Sequence, residues 1–201
     1  MRLAVIGSSG SGKSTFARRL AERLDAPHVE LDALNWDPGW RDLSRGDPDE
    51  LRRRADAALP PDGAWVTDGN YRVVRPLTFA RATDLVWLDY DRPVIMGRVL
   101  RRSFVRAVTR QELWAGTGNR EEFRRWLSRD HPIRWAWDTF ARRRAEYEVV
   151  FADPALGHLA RHRLRRPCEA VALIHRLTEE PVQVEQELGD PSGIPVRPAS
   201  P

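Results

Sequence analysis

The segment Gly7-Ser8-Ser9-Gly10-Ser11-Gly12-Lys13-Ser14 constrains this chain more than any other. It matches G-x-x-x-x-G-K-[ST] at every fixed position. An apolar run, Leu3-Ala4-Val5-Ile6, precedes it, and Phe16, Leu20 and Leu24 recur at spacing four after it. Strand, glycine loop and helix in that order make a phosphate cradle. Glycines let the backbone curl so that its N–H groups point inward at phosphate oxygens, and the helix adds its positive end. Gly7, Ser8, Ser9, Gly10, Ser11, Gly12, Lys13, Ser14 and Thr15 are therefore the expected nucleotide-binding residues. Lys13 is expected to reach the β- and γ-phosphates of ATP, and the Ser14 hydroxyl to join a Mg²⁺ shell. Lys13 is also the only lysine, every other base being arginine. A guanine-specific N-K-x-D element needs a second lysine, and a protein kinase needs a strand lysine and a different glycine-rich loop. Both are excluded.

The length, 201 residues, suits one domain with its own core. Apolar residues at 41% and charged residues at 31% give a globular balance. No apolar run approaches the length of a membrane span, and the N-terminus lacks a secretory design, so a cytoplasmic protein without a membrane partner is expected. Cys168 stands alone, which rules out an internal disulfide; with an apolar helix behind it, it reads as a small core residue. The histidines lack metal-site spacing. A net charge of +4 suits phosphate-bearing ligands, nucleic acid among them, without selecting one.

Strands are expected at 2–6, 28–31, 64–67, 85–88 and 159–164. Helices are expected at 13–24, 48–59, 76–81, from 91–93 to about 109, 132–149 and 167–177. Asp47 is the expected cap of the second helix with Pro48 at its first position, and Asp37-Pro38-Gly39 is a turn. The alternation predicts an α/β three-layer sandwich of the P-loop NTPase kind around a five-stranded parallel sheet. The domain is expected over 1–180, with a proline-rich disordered tail over 181–201.

Asp68 ends an apolar strand, where a carboxylate can hold a magnesium-bound water; Ser14 and Asp68 are the expected metal residues. Glu30 and Asp32, two apart on a strand, would face one side at its carboxyl end. Asp32 can orient or deprotonate an acceptor hydroxyl, or it can cap a helix; the residues leave both open. Asp89, after Val86-Trp87-Leu88, is a second candidate for the magnesium role of Asp68 by pattern, but reads more readily as a strand-end residue capping the helix opened by Pro93. Trp36 and Trp40 read as packing residues that can also wall a ring. Arg98, Arg102, Arg106 and Arg110 recur at spacing four. Met96, Leu100, Phe104 and Val108 recur on the opposite side, so the helix is expected to bury that apolar face.

Four pieces together resemble a known family: the phosphate loop, Glu30-Leu31-Asp32 with Trp36-x-x-Gly39-Trp40, Trp65-Val66-Thr67-Asp68-Gly69-Asn70-Tyr71, and Leu164-Arg165-Arg166-Pro167. Residues 1 to about 178 resemble the small P-loop kinases of the adenylate, shikimate and gluconate kinase group. Within it they look most like the adenylate kinase-like proteins labelled DNA topology modulation proteins. The resemblance implies an ATP- and Mg²⁺-dependent kinase acting on a small-molecule acceptor such as a nucleoside or nucleotide. It also implies a helical lid at about 110–131 that brings arginines onto the transferring phosphoryl group. Arg102 and Arg106, with Lys13 and Asp32, are then the expected catalytic residues, and Arg142-Arg143-Arg144 is a second source of cations. Asn70-Tyr71 replaces the aromatic-proline-arginine run of nucleotide-accepting relatives. The label implies an alternative, a nucleotide-dependent DNA-associated regulator.

Overall fold

The computed structural model describes residues 1–109, 112–114, 116–119 and 132–179. The expected tail, Arg110 and most of the expected lid stretch lie outside the described residues. The chain begins with β1 (Arg2–Gly7), passes through the glycine loop into α1 (Lys13–Arg23), and reaches β2 (His28–Glu30). Next come α2 (Leu31–Asn35), the short strands β3 (Trp36–Asp37) and β4 (Arg41–Asp42), α3 (Leu43–Gly46) and α4 (Pro48–Ala58). β5 (Trp65–Asp68), α5 (Arg75–Arg81), β6 (Asp84–Leu88), α6 (Arg92–Thr109), α7 (Pro132–Ala152), β7 (Ala160–Leu164) and α8 (Pro167–Thr178) follow.

The main sheet is parallel, in the order β2-β5-β1-β6-β7. Strand β1 lies at its centre, and its run Leu3 to Ile6 is buried on both faces, as a parallel strand covered on both sides must be. Leu3 and Val5 pack with Phe16, Leu20, Val86, Val99 and Leu173 on one side. Ala4 and Ile6 pack with Leu51, Trp65, Phe79, Leu85 and Tyr147 on the other. These are the three layers expected. Cutting a fully buried leucine such as Leu20 back to alanine costs about 2–5 kcal/mol in such a core. Helix α4 begins as expected, with Pro48 in its first turn and the Asp47 carboxylate accepting from the Glu50 N–H at 3.1 Å.

Four local expectations need correction. Strand β2 ends at Glu30 and Leu31 opens α2, so Glu30 and Asp32 do not share a strand face. The segment 36–42 is a small antiparallel hairpin rather than a bare turn, with Trp36 opposite Asp42. Buried Asn35 pins it, giving its amide N–H to Asp42 at 3.0 Å and accepting from the Ser44 N–H at 2.8 Å. Helix α6 buries Ile95, Val99, Ser103 and Ala107, while Phe104 and Val108 are 56% and 60% exposed. Small Ser103 and Ala107 let α6 approach its neighbours closely, and apolar periodicity alone overlooks them. Cys168 is exposed in the first turn of α8 rather than buried.

Candidate active site

All the sheet strands run parallel, so their carboxyl ends meet along one edge, and the residues that follow them face each other there. The glycine loop leaves β1 at this edge. Gly10 holds φ +86°, and a Cβ at that position would lie 2.2 Å from a Val99 methyl of α6. Glycine is therefore required twice over, by backbone conformation and by close approach. Gly12 takes the left-handed conformation just before α1. Lys13 Nζ donates to the Ser8 carbonyl at 3.2 Å, so its chain folds back over the loop. Burial pulls the Lys13 pKa down; Asp68 and Asp32 oppose that pull, and Arg102 and Arg143 reinforce it. An ammonium so desolvated gains most from an anion brought to it. Ser11 is fully buried and its Oγ has no hydrogen-bond partner, an orphan that a phosphate oxygen would satisfy. Arg98 donates to the Ser11 carbonyl at 2.7 Å, so this member of the arginine stripe braces the loop from outside. Thr15 is exposed on α1.

Ser14 and Asp68, 54 residues apart, meet directly. The Ser14 hydroxyl donates to Asp68 Oδ2 at 2.7 Å. Asp68 is 2% exposed, and His28 Nε2 lies 2.8 Å from its other oxygen. Two hard oxygen donors side by side at the mouth of a phosphate loop fit Mg²⁺, which takes one or two protein oxygens and fills its octahedron with phosphate and water. His28 holds the carboxylate from behind, and sequence reasoning missed it; its only signal was its place at the start of the strand paired with β5.

Asp32 stands in the first turn of α2, where Glu30 occupies the cap position without a side-chain cap bond. Asp32 instead accepts from the Tyr71 hydroxyl at 2.6 Å. The cap alternative is thereby overturned, because the carboxylate turns to Tyr71 and not to the helix N–H groups. Burial, then the Asp32 charge, drives the Tyr71 pKa well upward, so its hydroxyl stays a donor. Glu30 lies near enough to Asp68 and Asp32 that burial and their charge push its own pKa up. Trp36, Trp40 and Trp114 close this side. Trp36 and Trp114 stack with centroids 6.2 Å apart, and Trp40 meets both rings edge-on at 5.8 and 6.0 Å. Asn119 pins the stretch bearing Trp114 to the hairpin: its side chain accepts from the Trp40 N–H at 3.1 Å and donates to the Asp37 carbonyl at 3.2 Å. Trp114 and Asn119 belong to the expected lid stretch and were not singled out from sequence.

Among the described arginines, the charges of Arg102 from α6 and Arg143 from α7 bear on Lys13. Arg106 lies one turn beyond Arg102 and is half-buried. Glu146 gathers Arg72, Arg75 and Arg143 at 3.2, 2.9 and 3.6 Å. Burial would raise its pKa, but the hydrogen bonds from Arg72 and Arg75 hold it down at about 2. Asp89 does not cap α6. Its buried carboxylate pairs with Arg144 at 2.8 Å and Arg163 at 2.7 Å, partners from α7 and β7 that no local pattern announces.

The chain belongs to the AAA domain family, matched over residues 3–178. Two solved structures share its fold. Shikimate kinase from Bacteroides thetaiotaomicron is 13% identical, covers 88% of this chain and 96% of its own, and superposes with a TM-score of 0.52. Shikimate kinase from Acinetobacter baumannii in complex with shikimate is 15% identical, covers 87% and 89%, and gives 0.51. No curated protein matches the sequence. The fold is thus that of the P-loop kinases. The finer resemblance, to proteins labelled DNA topology modulation proteins, is not what these comparisons return. Among the described residues no helix is long and apolar enough to cross a membrane.

Proposed function

We propose that the protein is a kinase that transfers the γ-phosphoryl group of ATP to a hydroxyl of a small molecule. The observation that carries this reading is a juxtaposition. Ser14 bonds Asp68, Asp32 is held by Tyr71, and both carboxylates lie near enough to Lys13 for their charge to bear on it. The loop amides and Lys13 would hold the triphosphate, with Ser14 and Asp68 holding Mg²⁺. When bound, the ion would supply charge neutralisation to the phosphates. Asp32 would accept the proton of the acceptor hydroxyl as its oxygen bonds to the γ-phosphorus and the bond to the bridging oxygen of ADP breaks. Arg102 and Arg143, whose charge bears on Lys13, would meet charge on the transferring group, with Arg106 as a further source. Such transfer needs alignment and charge neutralisation more than covalent help.

A coupled ADP-release screen over nucleosides, nucleotides, sugars, amino alcohols and small acids tests the reading. One acceptor that raises ADP release above the intrinsic ATPase, lost in Lys13→Ala, is the expected result. Absence of ATP binding by calorimetry would sink it.

A further inference from the structure

The two oxygens of the Asp68 carboxylate have different partners. Oδ2 accepts from the Ser14 hydroxyl at 2.7 Å, in the first turn of α1. Oδ1 lies 2.8 Å from His28 Nε2, which donates its N–H there. Asp68 is buried, so neither oxygen can trade its partner for bulk water without cost.

The sheet places His28, and it does so firmly. In the β2–β5 ladder His28 lies opposite Val66 and Glu30 opposite Asp68, so His28 stands one strand period before the level of Asp68. The register is pinned twice. The Thr67 hydroxyl donates to the Val29 carbonyl at 2.7 Å, and the Val66 N–H donates to the Pro27 carbonyl at 2.9 Å. His28 also lines an open surface pocket of about 370 Å³ with Ala21, Ala26 and Pro27. A ring lodged between such a pocket and a buried carboxylate adds little to the core. Its work is the polar contact on its inner side.

Resting on the kinase reading above, in which Ser14 and Asp68 hold the ion that accompanies ATP, we infer that His28 is a positioning residue that sets the choice of that ion. With Oδ1 held by the imidazole, Asp68 offers a divalent cation one oxygen, Oδ2. Mg²⁺ demands near-ideal octahedral angles, which the narrow bite of a two-oxygen carboxylate spoils. Ca²⁺ takes carboxylates by one oxygen or by both, in a larger and looser shell. The His28 bond therefore favours Mg²⁺, and its loss frees Asp68 to turn both oxygens to the larger ion.

Calorimetry of the β,γ-imido analogue of ATP on the full chain, at rising Mg²⁺ or rising Ca²⁺, tests this. The native chain is expected to need less Mg²⁺ than Ca²⁺ for half of the metal-dependent gain in analogue affinity. His28→Phe keeps the ring volume and loses the donor. It should raise the Mg²⁺ requirement about tenfold or more, a common cost of removing the hydrogen-bond partner of a metal ligand, and the Ca²⁺ requirement less. His28→Gln keeps a donor and should hold the native preference. His28→Ala replaces the phenylalanine variant if that chain does not melt cooperatively, with the same direction expected. Analogue affinity in EDTA should be equal in all chains, which shows that they fold and that the effect runs through the ion. An unchanged preference in the donorless variant, an equal loss for both ions, a glutamine variant no better than the donorless one, or a native chain indifferent to both ions would overturn the inference. The two readings fail separately. An unmoved ion preference beside acceptor-stimulated ADP release would break this one and spare the kinase reading. A preference that moves as stated, in a chain that no acceptor stimulates, would do the reverse.

Discussion

On the kinase reading proposed above, the donor side and the acceptor side of the site are built by opposite methods. The donor side is one contiguous loop whose backbone does the binding, so its residues stand next to each other in sequence and its glycines are dictated by φ and close approach. The acceptor side is gathered from β2, α2, the β3–β4 hairpin, the residues after β5 and a stretch near 114–119. Its binding groups are side chains. A backbone cradle recognises a triphosphate and leaves little to vary, whereas a wall of side chains can be changed one residue at a time. On that reading the loop would hold the common part of the reaction, and the assembled half the individual part.

The contrast can be broken most sharply at Asp32. Asp32→Asn is expected to lower phosphoryl transfer on the order of 10²–10⁴-fold, since the general base is lost, while ATP affinity measured by calorimetry stays within about twofold. Wild-type turnover, with water or an acceptor, would show that the carboxylate serves only Tyr71. Lys13→Ala should do the reverse, weakening ATP binding by about 100-fold with an unchanged melting profile in the absence of nucleotide. Lys13→Arg should rescue little, because a planar guanidinium does not replace a compact ammonium folded back on the Ser8 carbonyl. A smaller effect tests the loop's geometry alone: Gly10→Ala should cost about 1–3 kcal/mol of stability and weaken ATP binding, by setting a methyl against Val99 at a positive φ.

On the other half, Glu146 ties the residues after Tyr71 to α7. Its carboxyl titrates at about 2 against an ordinary 4.5. The depressed value means that its contribution is fully present above pH 4.5 and is lost as pH falls toward 2. Glu146→Gln should therefore destabilise by about 2 kcal/mol at pH 7, discounted from the full shift because Arg72 is exposed, and the gap to the native chain should close through that window in thermal melts. The smallest effect is expected far from both halves, at the opposite edge of the sheet. Burial would raise the Asp84 pKa, but His162 at 3.0 Å and Thr83 at 2.7 Å more than offset it and hold it below 3.8. Asp84→Asn should lower the melting temperature by a few degrees at neutral pH and less as acid protonates the native carboxyl, with ATP affinity unmoved.

What could be read from sequence follows the same division. The phosphate loop, the five strands and the Ser14–Asp68 partnership were legible because each rests on a local spacing or on the end of an apolar run. Glu30 and Asp32 were misplaced relative to each other because helix geometry begins at Leu31, one residue before strand parity would have carried Asp32 to the same face. The apolar row of α6 was mistaken for its core face because Ser103 and Ala107 bury without being strongly hydrophobic. The partners of Asp89 and Asp68 were invisible for another reason: Arg144, Arg163 and His28 arrive from other elements, and only the finished topology brings them there.

The contact between Gly10 and Val99, with the Arg98 bond to the Ser11 carbonyl, has a mechanical meaning. A glycine-rich loop on its own is slack. Here it leans on an eighteen-residue helix, whose bulk it borrows as a keel. Loop and helix are thereby braced as one body, and the position of the phosphate loop is tied to that of α6.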